Sequence, residues 1–235
     1  MTTRTTKILT ENLHRIRERI EAACHRSGRS ASDITLVAVS KYATLDWVRA
    51  LVDLGITDLG ESRPQQLAAR VAELPTSIRW HLIGHLQRNK VELILPVVTR
   101  IHSVDSVRLL EAINKESQRL GSRARLLLEV NVAGEQSKDG FGPESLLEAW
   151  TTICQQNAVH IDGLMTMAPL TKTVEEARPV FRALRELRDR LAAMSNGRWT
   201  LPDLSMGMSG DFEIAIEEGA TLIRVGSGLF DGLSQ

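Results

Sequence analysis

A short apolar run followed by an amphipathic helix recurs about eight times along this chain, with a glycine stop after some of the helices, and no other feature narrows the fold as much. The first unit sets the pattern. Residues 34–41 form an apolar run ending in Ser40-Lys41, Thr44 is placed to cap a helix bearing Trp47, Val48, Leu51 and Val52, and Gly55 is placed to end it in a left-handed conformation. Strands are then predicted at 56–61, 79–84, 101–104, 124–132, 161–167, 203–208 and 221–225. Between them the spacing predicts helices at 64–73, 89–95 and 106–120, one opened by Pro143, one carrying Phe181, Leu184, Leu187 and Leu191, and one at 212–218.

Apolar runs of this kind fit strands covered on both faces, and their alternation with helices implies a parallel α/β sheet. About eight such units in 235 residues favour a single closed (β/α)8 barrel of the TIM type over an open doubly wound sheet. Leu13, Ile16, Ile20 and Cys24 recur at helical spacing before the first strand, so an N-terminal helical extension (1–30) is expected to precede the barrel (31–235) within one structural domain. Thr173 and Glu176 resemble a capping box, and Pro179 is expected to kink or restart the helix behind them.

Composition removes several functional classes. Basic and acidic residues balance at 29 each, so no global field favours nucleic acid or an anionic membrane, and neither partner is expected. Cys24 and Cys154 are isolated in sequence, which argues against zinc or a disulfide framework and fits a reducing compartment. With no secretory signal and no apolar span of membrane length, a cytoplasmic location is expected. His81 and His85 have metal-pair spacing only on a helix, whereas their segment reads as strand and loop; no metal site is expected.

Barrel closure would bring the loop after the last strand beside Lys41. Gly226-Ser227-Gly228 can turn successive backbone N–H groups toward an anion, and Ser209-Gly210 can add N–H groups and a hydroxyl. One such glycine cluster alone is usually a tight turn; two facing a lysine suggest a phosphate site. A lysine beside a phosphate cradle suits a phosphorylated carbonyl compound held as a Schiff base, with pyridoxal 5'-phosphate the economical candidate. Arg224 would then face the pyridine nitrogen, where a permanent cation opposes ring protonation; its alternative role is a rim salt bridge. Lys90 reads first as a solvated helix lysine, and Met206 and Met208 as barrel lining.

Several segments together resemble the pyridoxal phosphate homeostasis protein family: Val39-Ser40-Lys41, Gly60-Glu61, residues 81–90 (HLIGHLQRNK), Asn131-Val132 with Ser137-Lys138-Asp139-Gly140, Gly163-Leu164-Met165, residues 204–211 (LSMGMSGD) and Ile223-Arg224-Val225-Gly226-Ser227. The resemblance runs in order from about Leu36 to Gly232. It implies a barrel like the amino-terminal domain of alanine racemase, pyridoxal phosphate on Lys41, Arg224 near the pyridine nitrogen, and Ser209, Gly226 and Ser227 at the phosphate. The implied role is vitamin B6 homeostasis by a non-catalytic protein that passes cofactor to apo-enzymes. Ser62 departs from the asparagine common in the family, and serine lacks an amide's paired donor and acceptor.

Two enzymatic alternatives stand beside this one. An amino-acid racemase needs a second base opposite Lys41; Tyr42, its chain neighbour, is expected to point elsewhere, and a chain ending at Gln235 is expected to lack the β domain that supplies that base in racemases. A phosphosugar Schiff-base aldolase would rely on Glu61 for proton transfer. Without the second domain, a monomer is expected.

Overall fold

A computed structural model of the chain describes residues 3–135, 138–169 and 172–233. Eight parallel strands close in sequence order: β1 Thr35–Val39, β2 Asp58–Glu61, β3 Arg79–Leu82, β4 Arg100–Val104, β5 Ala124–Glu129, β6 Val159–Met165, β7 Asp203–Ser205 and β8 Leu222–Val225. The barrel closes where Thr35 to Ala38 pair with Leu222 to Val225. Around it run α1 Thr3–Ser27, α2 Leu45–Asp53, α3 Pro64–Glu73, α4 Val91–Ile94, α5 Val107–Arg119, α6 Pro143–Cys154, α7 Arg178–Met194 and α8 Phe212–Glu217. Among the described residues no helix is long and apolar enough to cross a membrane.

The expected barrel is therefore present, with local adjustments that have physical causes. Most strands are shorter than their apolar runs, because the last apolar residues leave the ladder to line the mouth. The helix expected at 89–95 is a 3-10 turn, Arg88–Lys90, followed by the single turn of α4, which stops ahead of Pro96. Thr173 and Glu176 meet through their side chains at 3.1 Å, ahead of a 3-10 turn at Val174–Ala177. Pro179 restarts the chain rather than kinking it: it lies in the first turn of α7, where a missing N–H costs nothing. Thr44 caps α2 by accepting from Trp47 N, and Gly55 follows at φ +87°.

Strand alternation sorts the side chains into two layers. Val37 pairs in register with Arg224, so both share the lumen side, whereas Leu36, Ala38, Ile223 and Val225 pack outward in the core beneath the helices. Each fully buried Leu or Ile in that layer contributes about 2 kcal/mol. Helix α1 adds Leu9, Leu13, Ile16, Ile20 and Cys24 to this core and packs against α8. At the amino-terminal end of the strands, buried Asp162 gathers Arg100 and Arg125 at 3.0 Å and His160 at 3.3 Å, while Arg100 also reaches Asp203 at 2.7 Å. Gly163 lets β6 and β7 close over this layer: a Cβ there would lie 1.7 Å from the Asp203 carbonyl oxygen.

Candidate functional site

The carboxyl ends of the strands surround a cavity of about 610 Å³ that brings together Lys41, Ser209, Arg224, Gly226 and Ser227, residues far apart in sequence. Lys41 stands two residues beyond β1, in a turn fastened from below. Ser40 N donates to Gly60 O at 2.9 Å, Arg70 donates to Ala43 O at 2.7 Å, and Gln66 donates to Lys41 O at 3.3 Å. Arg70 is in turn paired at 3.4 Å with Glu61, which is fully buried and also accepts from Ser62 N at 2.7 Å. Glu61 thus fastens the turn and does not line the cavity, so the proton-transfer role that an aldolase would need is not placed there.

Tyr42 differs from expectation. It lines the same cavity as Lys41, whose Nζ lies 5.1 Å from its ring centroid. The alternation that would turn neighbours to opposite faces ended with the strand at Val39, and a turn obeys no such rule. Lysine and tyrosine therefore stand together at one cavity.

Across the mouth, Gly226 N and Gly228 N both donate to Ser209 Oγ, at 3.2 and 3.3 Å. Two backbone donors converging on one oxygen have the geometry that receives an anion's oxygen. Arg224, on β8, lies beneath this cradle and is almost wholly buried. It donates to Ser205 Oγ at 2.6 Å and to Thr166 O at 2.9 Å. Burial lowers its pKa to about 10, offset in part by Glu129 and Asp211, so the group remains cationic at neutral pH.

The groups that hold Arg224 were not among the site residues singled out from the sequence. Its acceptor Ser205 is 2.8 Å from His102 Nδ1; His102 Nε2 is 2.9 Å from His81 Nδ1, and His81 Nε2 is 3.0 Å from Asp58. Arg79 closes the far end on Asp58. A continuous polar chain thus crosses the lumen from the base of the barrel to the guanidinium. Burial pushes both imidazoles below their usual pKa, His102 well below. Burial alone would raise Asp58, but hydrogen bonds from His81 and Arg79 outweigh it and hold the carboxyl at about 2. The signal available in sequence was the alternation of β4, which puts His102 on the lumen side.

His81 and His85 serve different places. His85 sits outside the lumen, its Nδ1 3.1 Å from Asp105 and 3.3 Å from Asp139. Glu129, at the end of β5, is buried near these acids and near Arg224; burial first, then repulsion from Asp105, raises its pKa to about 7. Lys138 reaches the Met167 and Ala168 carbonyls and pairs with Glu135; its neighbour Ser137 lies outside the described residues. Lys90 ends the 3-10 turn at Arg88–Lys90 and does not line the cavity. Met208 lines it, whereas Met206 packs outward in the core. Ser62 lines the cavity with its backbone close against Gly84, where a Cβ would lie 2.3 Å from Ser62 O.

Fold and site together define a (β/α)8 barrel that presents an amine, a buried guanidinium and an anion cradle at the carboxyl ends of its strands. Residues 11–234 match the family model described as alanine racemase, N-terminal domain. The pyridoxal phosphate homeostasis protein of Aquifex aeolicus is 42% identical over 221 residues, covering 94% of this chain and 96% of that one. The structure of PipY from Synechococcus elongatus with PLP bound superposes with a TM-score of 0.80 at 36% identity, covering 92% of this chain and 99% of that one. An alanine racemase from Clostridium difficile shares the fold at a TM-score of 0.73 and 15% identity; the match covers 97% of this chain and 58% of that one. The chain belongs to the alanine racemase N-terminal domain family and, within it, to the pyridoxal phosphate homeostasis proteins.

Proposed function

We propose that this chain is a cytoplasmic, monomeric protein of vitamin B6 homeostasis that binds pyridoxal 5'-phosphate at the barrel mouth and passes it to apo-enzymes. The observation that carries this is the convergence of the Gly226 and Gly228 N–H groups on the Ser209 hydroxyl, in the cavity that also holds the Lys41 amine and the buried Arg224. The residues present fit the group: a cradle for the phosphate, an amine for the aldehyde carbon, and a cation for the ring nitrogen. PipY, solved with PLP bound, and relatives named for pyridoxal phosphate homeostasis support the assignment.

Bound pyridoxal phosphate supplies a reactive aldehyde and a ring able to accept electron density. Lys41 Nζ is the proposed point of covalent attachment. Arg224, fixed by Ser205 and Thr166, would hold a positive charge toward the ring nitrogen and oppose protonation there, which would favour holding the cofactor over carbanion chemistry. Because Tyr42 stands beside Lys41, the pair does not supply bases on two faces of a substrate, which weighs against a dedicated racemase.

The test is the absorption spectrum of the purified protein incubated with pyridoxal phosphate, before and after borohydride, beside Lys41→Ala. A yellow band that borohydride abolishes, with label mapped to Lys41 and absent at that position in the variant, is expected. A wild-type protein that stays colourless overturns the assignment. Mixing the loaded protein with an apo-enzyme and following regained activity reads transfer, and light scattering of the same sample reads the monomer; no regained activity, or a stable dimer, removes the corresponding part.

A further inference from the structure

We infer that helix α1 is a working part of the anion site, with Asn12 as the residue that positions the phosphate cradle; this rests on the cofactor assignment above. Asn12 is buried, yet its amide nitrogen is spent on a distant piece of chain: it donates to Leu229 O and to Asp231 O, both at 2.9 Å. Those carbonyls flank Phe230, and the turn they belong to follows Gly226-Ser227-Gly228 directly. Leu229 N in turn donates to Gly226 O at 2.9 Å, so the residue that Asn12 grips is itself bonded to the first cradle glycine. One side chain on α1 therefore sets where the loop can lie.

Two further contacts come from successive turns of the same helix face. Ile16 packs under the cradle, its Cδ1 3.8 Å from where a Cβ on Gly228 would stand. Arg19 holds the opposite wall: it pairs with Glu213 of α8 at 2.7 and 3.0 Å, lies 4.4 Å from the Phe212 ring centroid, and approaches the Ser209 carbonyl at 3.5 Å. Asn12, Ile16 and Arg19 thus address both the loop that supplies the N–H donors and the segment that supplies the Ser209 hydroxyl. Arg15 donates to the Asn12 side-chain oxygen, which keeps the amide nitrogen turned toward the carbonyls.

The same grip orients an apolar wall. Phe230 stacks on Trp47 with ring centroids 5.9 Å apart, and both line the cavity. Cradle and wall therefore move together if the Asn12 contacts are lost. A helix that only shielded the barrel core would need the apolar residues Leu9, Leu13, Ile16 and Ile20, but not a buried amide bonded to two carbonyls of the ligand loop. Asn12 touches no ligand position; it acts through the loop, as a positioning residue.

The distinguishing measurement compares two aldehydes that differ only in the anion: pyridoxal 5'-phosphate and pyridoxal, titrated against the full chain by absorbance. Asn12→Asp keeps size and shape but cannot donate to the two carbonyls. It is expected to weaken pyridoxal phosphate binding by about tenfold or more while changing pyridoxal binding by no more than about twofold, the loss falling on bonds to a charged group. Arg19→Met, at a half-exposed position that does not threaten folding, is expected to shift the same ratio in the same direction by about threefold. If both aldehydes weaken equally, or neither changes, in the variants that fold, α1 is only a packing element and the inference fails. A wild-type protein inert to both aldehydes instead sinks the cofactor assignment itself, so the two failures are separable.

Discussion

The lower lumen and the mouth of the barrel are both polar, but they treat their polar groups in opposite ways. In the lower lumen each group of the chain from Arg79 through Asp58, His81, His102 and Ser205 to Arg224 has a partner within 3.0 Å, and none of it faces the cavity until the guanidinium. At the mouth, two backbone donors share one hydroxyl, and Glu129 is buried beside Asp105 and Asp139. A satisfied buried network rigidifies what it holds, whereas two N–H groups that share one side-chain hydroxyl at an open cavity are held by far fewer bonds. The difference separates the part that fixes Arg224 from the part that opens onto the cavity.

The largest break in this comparison should come from His102→Leu, which leaves His81 and Ser205 each short of a buried partner. A loss of about 4 kcal/mol in denaturant unfolding at pH 7 is expected; a loss below about 1 kcal/mol would show that the polar chain is incidental to stability. Next is Glu129→Gln in the cofactor-free protein. Glu129 keeps its proton in the fold up to about pH 7 but in the unfolded chain only to 4.5, so the native state binds more protons between those values and stability falls as pH rises through them. Glutamine removes that loss. The variant should be more stable than wild type by up to about 3 kcal/mol at pH 8 and nearly equal at pH 4.5; equal pH profiles would contradict the burial account.

The histidines of the lower lumen carry the opposite sign. Their pKa values are depressed, so the unfolded chain takes up protons first as pH falls below 6.5, and their contribution to stability declines toward acid. In the Glu129→Gln background this decline should show between pH 6.5 and 4.5, above the range where depressed carboxylates such as Asp58 add their own acid-side loss. The smallest effect is expected from His85→Ala, since its pairs with Asp105 and Asp139 form at a half-exposed side chain: about 0.5 kcal/mol by thermal melting, against the large loss at buried His102. A comparable loss at both histidines would erase the distinction between lumen and mouth.

Much of the architecture was legible because it follows from local rules. The apolar runs, the Thr44 cap and the left-handed Gly55 mark out the βα units, and the number of units implies closure. Lys41, Ser209, Arg224, Gly226 and Ser227 could be named because they sit at strand ends or in glycine turns, where the chain itself announces a change. What escaped were groups whose meaning depends on a partner across the barrel. His102 is a single imidazole in a short strand of mixed polarity, Glu129 a carboxyl ending an apolar one, and Asn12 one amide on an amphipathic helix.

Tyr42 shows the boundary between the two kinds of knowledge: period-two alternation holds within β1 and lapses one residue after the ladder ends. By itself, then, the sequence determined the repeating units, their closure into a barrel and the lysine at the mouth, because apolar periodicity, capping and backbone sterics act over a few residues. Only the tertiary structure decided that His81 spans the lumen to Asp58 and His102, that Glu61 fastens a turn, and that α1 grips the loop at 229–231. Those outcomes depend on burial and on hydrogen-bond partners up to 219 positions away, which no local spacing encodes.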